Sequence, residues 1–266
     1  MTTSILLFFS RRMSLPFTVM VTLLLLCPVV RSSALAQESD MGFGISVSGE
    51  HRLMRGMKLQ AEAEVRSQDV LSQLERWAIG LSLDYRLTDY LKSDVGYCLM
   101  DRFHLAEYTD RGNRISGYWA PRHRWYASLQ GQYVCGRFKV SLRERYQLTH
   151  SPLQYVPKYV VVHGDPDYYG YRLTDEVKAG HQDHLLRQRL QVSYDVRHSH
   201  LTPSVSIEAL HDLSQAFAVG QVRYCLSLDY QLGKHSSVGL LWRYTDRTDD
   251  DERNGHLISL GYNFSF

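Results

Sequence analysis

From Met41 to Phe266 the chain alternates apolar and polar residues with a period of two, and no stretch carries the 3.6-residue period of an amphipathic helix. The clearest run sets Val222, Tyr224, Leu226, Leu228, Tyr230 and Leu232 against Gln221, Arg223, Cys225, Ser227, Asp229 and Gln231. The same rhythm runs through Met57–Arg66, Trp77–Leu87, Trp119–Tyr133, Phe138–Leu148, Leu186–Val196 and His256–Phe266. Successive side chains of a strand point to opposite faces, so each run presents one apolar and one polar surface. The chain is predicted to be all-β, with about eleven strands counted this way.

The connections alternate as well. Short turns are expected near Leu53–Met57, Thr88–Tyr90, Cys135–Gly136, His198–His200 and Gly233–His235. Longer ones are expected near Ser67–Gln73, His104–Gly117, His150–Asp183 and Asp246–Asn254, with a lesser one near Asp212–Ala216. Short turns at one end and long loops at the other are the habit of bacterial membrane barrels. Such barrels have an even number of strands, so eleven leaves the parity open, with Tyr159-Val160-Val161-Val162 as the candidate missing strand.

Alternation alone also fits a soluble barrel with its apolar rows turned inward. Three features favour the inverted arrangement. Aromatic residues mark both ends of apolar rows, as in the pairs Trp77 with Tyr85 and Trp125 with Tyr133, joined by Trp242 and Tyr262 as candidate membrane girdles. Eight residues span about 26 Å of strand, or roughly 20 Å along the normal at a 40° tilt, close to an apolar band about 25 Å tall. The polar rows carry dense charge of both signs. The last run, HLISLGYNFSF, resembles the closing strand of outer-membrane barrels, with Tyr262, Phe264 and Phe266 as the assembly signal.

The beginning of the chain fits that destination. Arg11 and Arg12 precede an apolar run, Leu15 to Val30, and then Ala34-Leu35-Ala36, the order of a secretory signal peptide cut before Gln37. We therefore expect residues 1–36 to be a signal peptide. Residues 37–266 are expected to form one transmembrane, antiparallel up-and-down β-barrel of about 10–12 strands in the cell outer membrane. With 30 basic and 28 acidic residues, the charge balance gives no argument for nucleic acid. Beyond the leader, Cys98, Cys135 and Cys225 show no CxxC spacing, which gives no disulfide framework and no zinc site.

The segments Trp77–Leu87, Arg122-His123-Arg124, Arg143-Glu144-Arg145 and Arg187-Gln188-Arg189-Leu190 resemble the bacterial domain of unknown function 2490, a set of predicted outer-membrane barrels with repeated R-x-R strands. The resemblance implies location and fold, and no catalytic residue.

The R-x-R pairs are the leading functional candidates. Arg122, Arg124, Arg143, Arg145, Arg187 and Arg189 project from one face of three consecutive strands, with Glu62, Glu64, Asp84, Asp195, Glu208 and Asp229 as available partners. One reading is a network of ion pairs that fills and braces the lumen, using the planar guanidinium fork. The other is a cationic lining that favours small anionic solutes.

The connections carry His104, His150, His163, Asp165, Asp167, His181, Asp183, His184, His211 and Asp212, which leaves a rim enzyme acting on lipid, lipopolysaccharide or peptide as the alternative. Asp249-Asp250-Asp251-Glu252 could bridge to lipopolysaccharide through a divalent cation, and Asp167–Tyr171 could constrict the mouth or contact sugar. The expected role is non-enzymatic, without cofactor or metal. Expected partners are outer-membrane lipid and lipopolysaccharide, the barrel-assembly machinery, and a small anionic solute.

Overall fold

The structure, a computed structural model, describes residues 40–68, 73–161, 170–214, 217–247 and 255–266. The expected signal peptide lies outside them. The first strands are β1 (Asp40–Met54), β2 (Met57–Gln68), β3 (Gln73–Arg86), β4 (Leu91–His104), β5 (Glu107–Tyr108), β6 (Arg114–Ile115) and β7 (Tyr118–Cys135). Then come β8 (Phe138–Ser151), β9 (Gln154–Val161), β10 (Tyr171–Lys178) and β11 (His181–Tyr194). The chain closes with β12 (Leu201–Asp212), β13 (Ala218–Gln231), β14 (Ser236–Arg247) and β15 (Gly255–Ser265).

Eleven of these form a closed barrel, in the order β1-β2-β3-β4-β7-β8-β11-β12-β13-β14-β15 and back to β1. The expected short turns fall at one end, and the longer connections at the other. Each neighbouring pair is antiparallel except the closing one, where β1 and β15 run parallel from Asp40↔Gly255 to Glu50↔Ser265. Strands that alternate up and down leave the first and last pointing the same way when their number is odd. The count of eleven runs stands, the parity left open is odd, and the wall is antiparallel at every pair but this one.

The candidate missing strand does form, but elsewhere. Tyr159, Val160 and Val161 end β9, which pairs with β10 and β6 in a separate sheet of order β10-β9-β6-β5; Val162 is outside the described residues. The barrel ladder between β8 and β11 stops at Ser151↔His181. Pro152 follows, without an N–H to donate. Opposite it, Gly180 passes so close to the chain that a Cβ there would lie 2.9 Å from the carbonyl oxygen of Ser151. The hairpin therefore resumes beyond this break with a new partner instead of adding a stave.

Burial decides which way the faces turn. Ile45 is 63 % exposed on the outer surface, in company with Leu81, Val95, Leu142 and Leu260, whereas Gln147 is 2 % and Glu208 5 % exposed. Ser128, Ser141, Ser204 and Ser259, all on polar rows, are buried too. A protein with apolar side chains outside and polar ones inside suits lipid around it and water within. The soluble arrangement is excluded on this ground.

Candidate functional site: the charged lumen

The polar rows converge on two cavities inside the barrel. One, the inner cavity, of about 410 Å³, lies nearer the short turns and is lined by Glu62, Asp84, Asp94, Tyr126, Arg143 and Arg145 among others. The second, the outer cavity, of about 460 Å³, lies nearer the long loops and is lined, among the described residues, by nine arginines and one carboxylate, Glu75. Arg66, Arg76, Arg124, Arg187, Arg223 and Arg243 border both, so they stand where the cavities meet. These six come from β2, β3, β7, β11, β13 and β14, and form a ring of guanidinium groups around the lumen.

Three carboxylates organise much of this charge. Glu208 accepts from Arg187 at 2.9 Å, Arg143 at 3.0 Å and Arg223 at 3.4 Å, tying β8, β11 and β13 to β12. Its register neighbours are Arg189 and Arg223, yet Arg189 turns away and donates to Gln191 at 2.6 Å. Glu64 accepts from Arg66 at 2.5 Å and from Arg76 at 2.6 Å. Asp94 accepts from Arg145 at 2.9 Å and from the Ser128 hydroxyl at 2.7 Å. Arg145 also lies 3.9 Å over the ring of Tyr126, a cation–π contact. That ring occupies the space above Gly96, its register partner on β4, where a Cβ would collide with it. Buried Gln147 completes the network, accepting from Arg187 at 3.0 Å and donating to Thr149 at 3.2 Å.

Other arginines have no such partner. Arg122 and Arg243 form no hydrogen bond or ion pair with a described residue, and their Nε atoms are buried. Among the described residues Arg124 makes one long hydrogen-bond contact, from Nε to Thr149 Oγ1 at 3.5 Å.

The remaining sequence candidates are dispersed. Glu62 and Asp84 line the inner cavity, and Asp229 lines a smaller one at the short-turn end with Glu50 and Gln60. Asp195, expected among the lumenal acids, sits instead in the exposed turn after β11, because the ladder ends at Tyr194↔Phe138. Trp77, Tyr85, Trp125, Tyr133, Trp242 and Tyr262 belong to the outward rows. Histidine joins them near the long-loop end: Tyr97 and Tyr146 hydroxyls contact Nδ1 of His123 and His184, each at 2.7 Å, and Trp242 stacks on His256. Phe266 meets Phe264 edge to face at 4.7 Å, and its N–H donates to the Glu50 carbonyl across the parallel seam.

The histidines of the alternative, a rim cluster, do not gather on one face among the described residues. His181 and Asp183 approach to 3.5 Å, but His184 points to the opposite side, against Tyr146. His211 lies beside the Phe217 carbonyl, and it and Asp212 close β12 rather than occupying a loop. His163, Asp165, Asp167 and the acidic run Asp249–Glu252 are outside the described residues.

Sequence reasoning singled out the R-x-R pairs and missed Arg66, Arg76, Arg223 and Arg243 as ring members. Their signal was position on a polar row, the same parity as Glu64 or Cys225, rather than a local motif.

A family described as "Protein of unknown function (DUF2490)" matches residues 43–254. No curated protein matches the chain. Among solved structures, the β domain of the Bordetella autotransporter BrkA is similar at TM-score 0.53 and 14% identity, over 81% of this chain and 86% of that one. The NanC porin gives 0.44 and 13%, over 82% and 93%, and the translocator domain of NalP from Neisseria meningitidis gives 0.44 and 12%, over 77% and 72%. The first of these likenesses shows the fold, an outer-membrane-type β-barrel.

Proposed function

The chain belongs to the DUF2490 family, and from that premise we propose that it forms a narrow, anion-favouring passage through the bacterial outer membrane. The observation that carries this reading is the ring of six arginines where the two lumenal cavities meet. Fixed guanidinium groups in a passage attract anions and raise the barrier to cations. A barrel of eight strands is already filled by side chains, so eleven staves with long inward arginines give a narrow bore. Outer-membrane lipid and lipopolysaccharide would surround it, and the barrel-assembly machinery would insert it, with the aromatic end of β15 as the recognised segment. The reading needs neither cofactor nor metal.

Single-channel recording on the refolded chain in a planar bilayer tests it. Discrete conductance steps with a reversal potential on the anion side are expected, and Arg187→Gln with Arg223→Gln should reduce that selectivity. A folded barrel that conducts nothing, or prefers cations, would sink the proposal.

A second reading is a braced, non-conducting envelope barrel, favoured by the three arginines gathered on Glu208. The same recording separates the two.

A further inference from the structure

We propose that the outer lumenal cavity is a binding site for a compact solute bearing at least two oxyanion groups, such as a diphosphate or a dicarboxylate. The inference rests on the reading above only in requiring that solutes enter the lumen, not that they cross it.

Most lumenal arginines have a structural duty. Glu64, Asp94 and Glu208 between them hold six, and Glu75 approaches Arg102 at 3.4 Å. Arg122, Arg124 and Arg243 meet no carboxylate among the described residues, and all three line the outer cavity. A guanidinium withdrawn from bulk water with no carboxylate at ion-pair distance is costly, and the cost falls when an anion takes the place of a carboxylate. Bracing does not account for these residues, whereas anion binding does.

Their placement sets the ligand class. Arg122 and Arg124 are two apart on β7 and share its inward face, about 7 Å from each other. Arg243 comes from β14 and reaches the same cavity. A guanidinium fork pairs with a carboxylate or phosphate group through two parallel hydrogen bonds, which a halide cannot accept. Sites on two separate strands call for two such groups on one molecule. At about 460 Å³ the cavity falls within the range of small-molecule pockets and suits a solute of roughly monosaccharide size.

Calorimetric titration of the refolded chain in detergent with inorganic pyrophosphate, at low and at physiological salt, tests this. Saturable one-to-one binding is expected, at least tenfold tighter than inorganic phosphate. Arg122→Gln with Arg243→Gln should weaken it at least tenfold. Arg243→Lys, which keeps the charge but removes the fork, should weaken pyrophosphate binding more than phosphate binding. Heat-dependent gel mobility verifies that each variant is folded; should the double variant not fold, Arg122→Gln alone carries the test. No saturable binding, or binding indifferent to these substitutions, would overturn the site whatever the conductance. Binding in a barrel that conducts nothing would uphold the site and reject the passage.

Discussion

Gln188 and Glu144 face each other across β11 and β8 on the outside of the barrel, the amide nitrogen of Gln188 donating to a carboxylate oxygen of Glu144 at 3.0 Å. Around them the outward rows hold Leu142, Tyr146, Leu186 and Leu190. The hydrogen bond reduces, without cancelling, the cost of placing a carboxyl group on a surface that meets lipid. Replacing the pair by Glu144→Leu and Gln188→Leu should stabilise the barrel by about 1–2 kcal/mol, since acidic residues on a lipid-facing row cost less than the basic ones but still cost. Urea unfolding in lipid vesicles measures it. A loss of stability would mean that the pair meets something other than lipid.

Glu208 is the keystone of the inner network. Glu208→Gln keeps the shape and removes the charge that three arginines share, so it should destabilise the barrel by about 3 kcal/mol, as breaking a buried ion pair does. The same change adds one net positive charge to the lumen and should increase anion preference in bilayer recordings. Unchanged stability would show that water or ions already screen these guanidiniums.

Gly96→Ala tests the packing beneath Arg145. The new methyl group would occupy the place of the Tyr126 ring and lie 2.9 Å from the Leu81 carbonyl oxygen. Overpacking of this kind costs about 1–3 kcal/mol. A lower unfolding midpoint is expected, together with loss of the Arg145–Tyr126 stack. Tyr126→Ala in the Gly96→Ala background should recover part of the stability; no recovery would point to the backbone contact as the source of the strain.

In the small sheet, Lys158 donates to Glu176 at 2.8 Å across β9 and β10, and that hydrogen bond holds the Glu176 carboxyl below its ordinary value. A lowered folded-state value means stabilisation that is present above the ordinary range near pH 4.5 and is lost as the pH falls through the lowered value. Amide exchange in β9 and β10, corrected for intrinsic rates, should accelerate below about pH 4.5, and Glu176→Gln should abolish this dependence.

Much of the wall was legible in the sequence because its physics is local. A strand with lipid on one side and water on the other must alternate, and every short turn fell where the alternation broke. The seam between β1 and β15 was not legible, since it joins residues over 200 apart and its direction depends on a strand parity that the alternation left open. The fate of Tyr159–Val161 was hidden because a strand-like segment does not announce its partner; Pro152 and Gly180 redirect it. In the lumen, parity placed Glu208 inside, yet which arginines reach it depends on how long side chains lean across a tilted wall. Arg189 is its register neighbour and goes elsewhere. The histidines misled for a similar reason: placed by loop length, they turned out to end strands, where several pack against tyrosine or tryptophan.

The parallel seam also limits how this barrel can be rearranged. In an even-numbered barrel the two ends of the sheet emerge at one mouth, and a few added residues can stitch them together. Here Asp40 and Ser265 lie at opposite mouths, separated by eleven paired residues, roughly 35 Å at about 3.3 Å each. A stitch would have to thread the bore or the lipid. Circular permutation with a short linker is therefore closed to this topology, and so is enlargement by whole hairpins if the goal is an antiparallel closure. Only the gain or loss of an odd number of staves would let the wall close antiparallel.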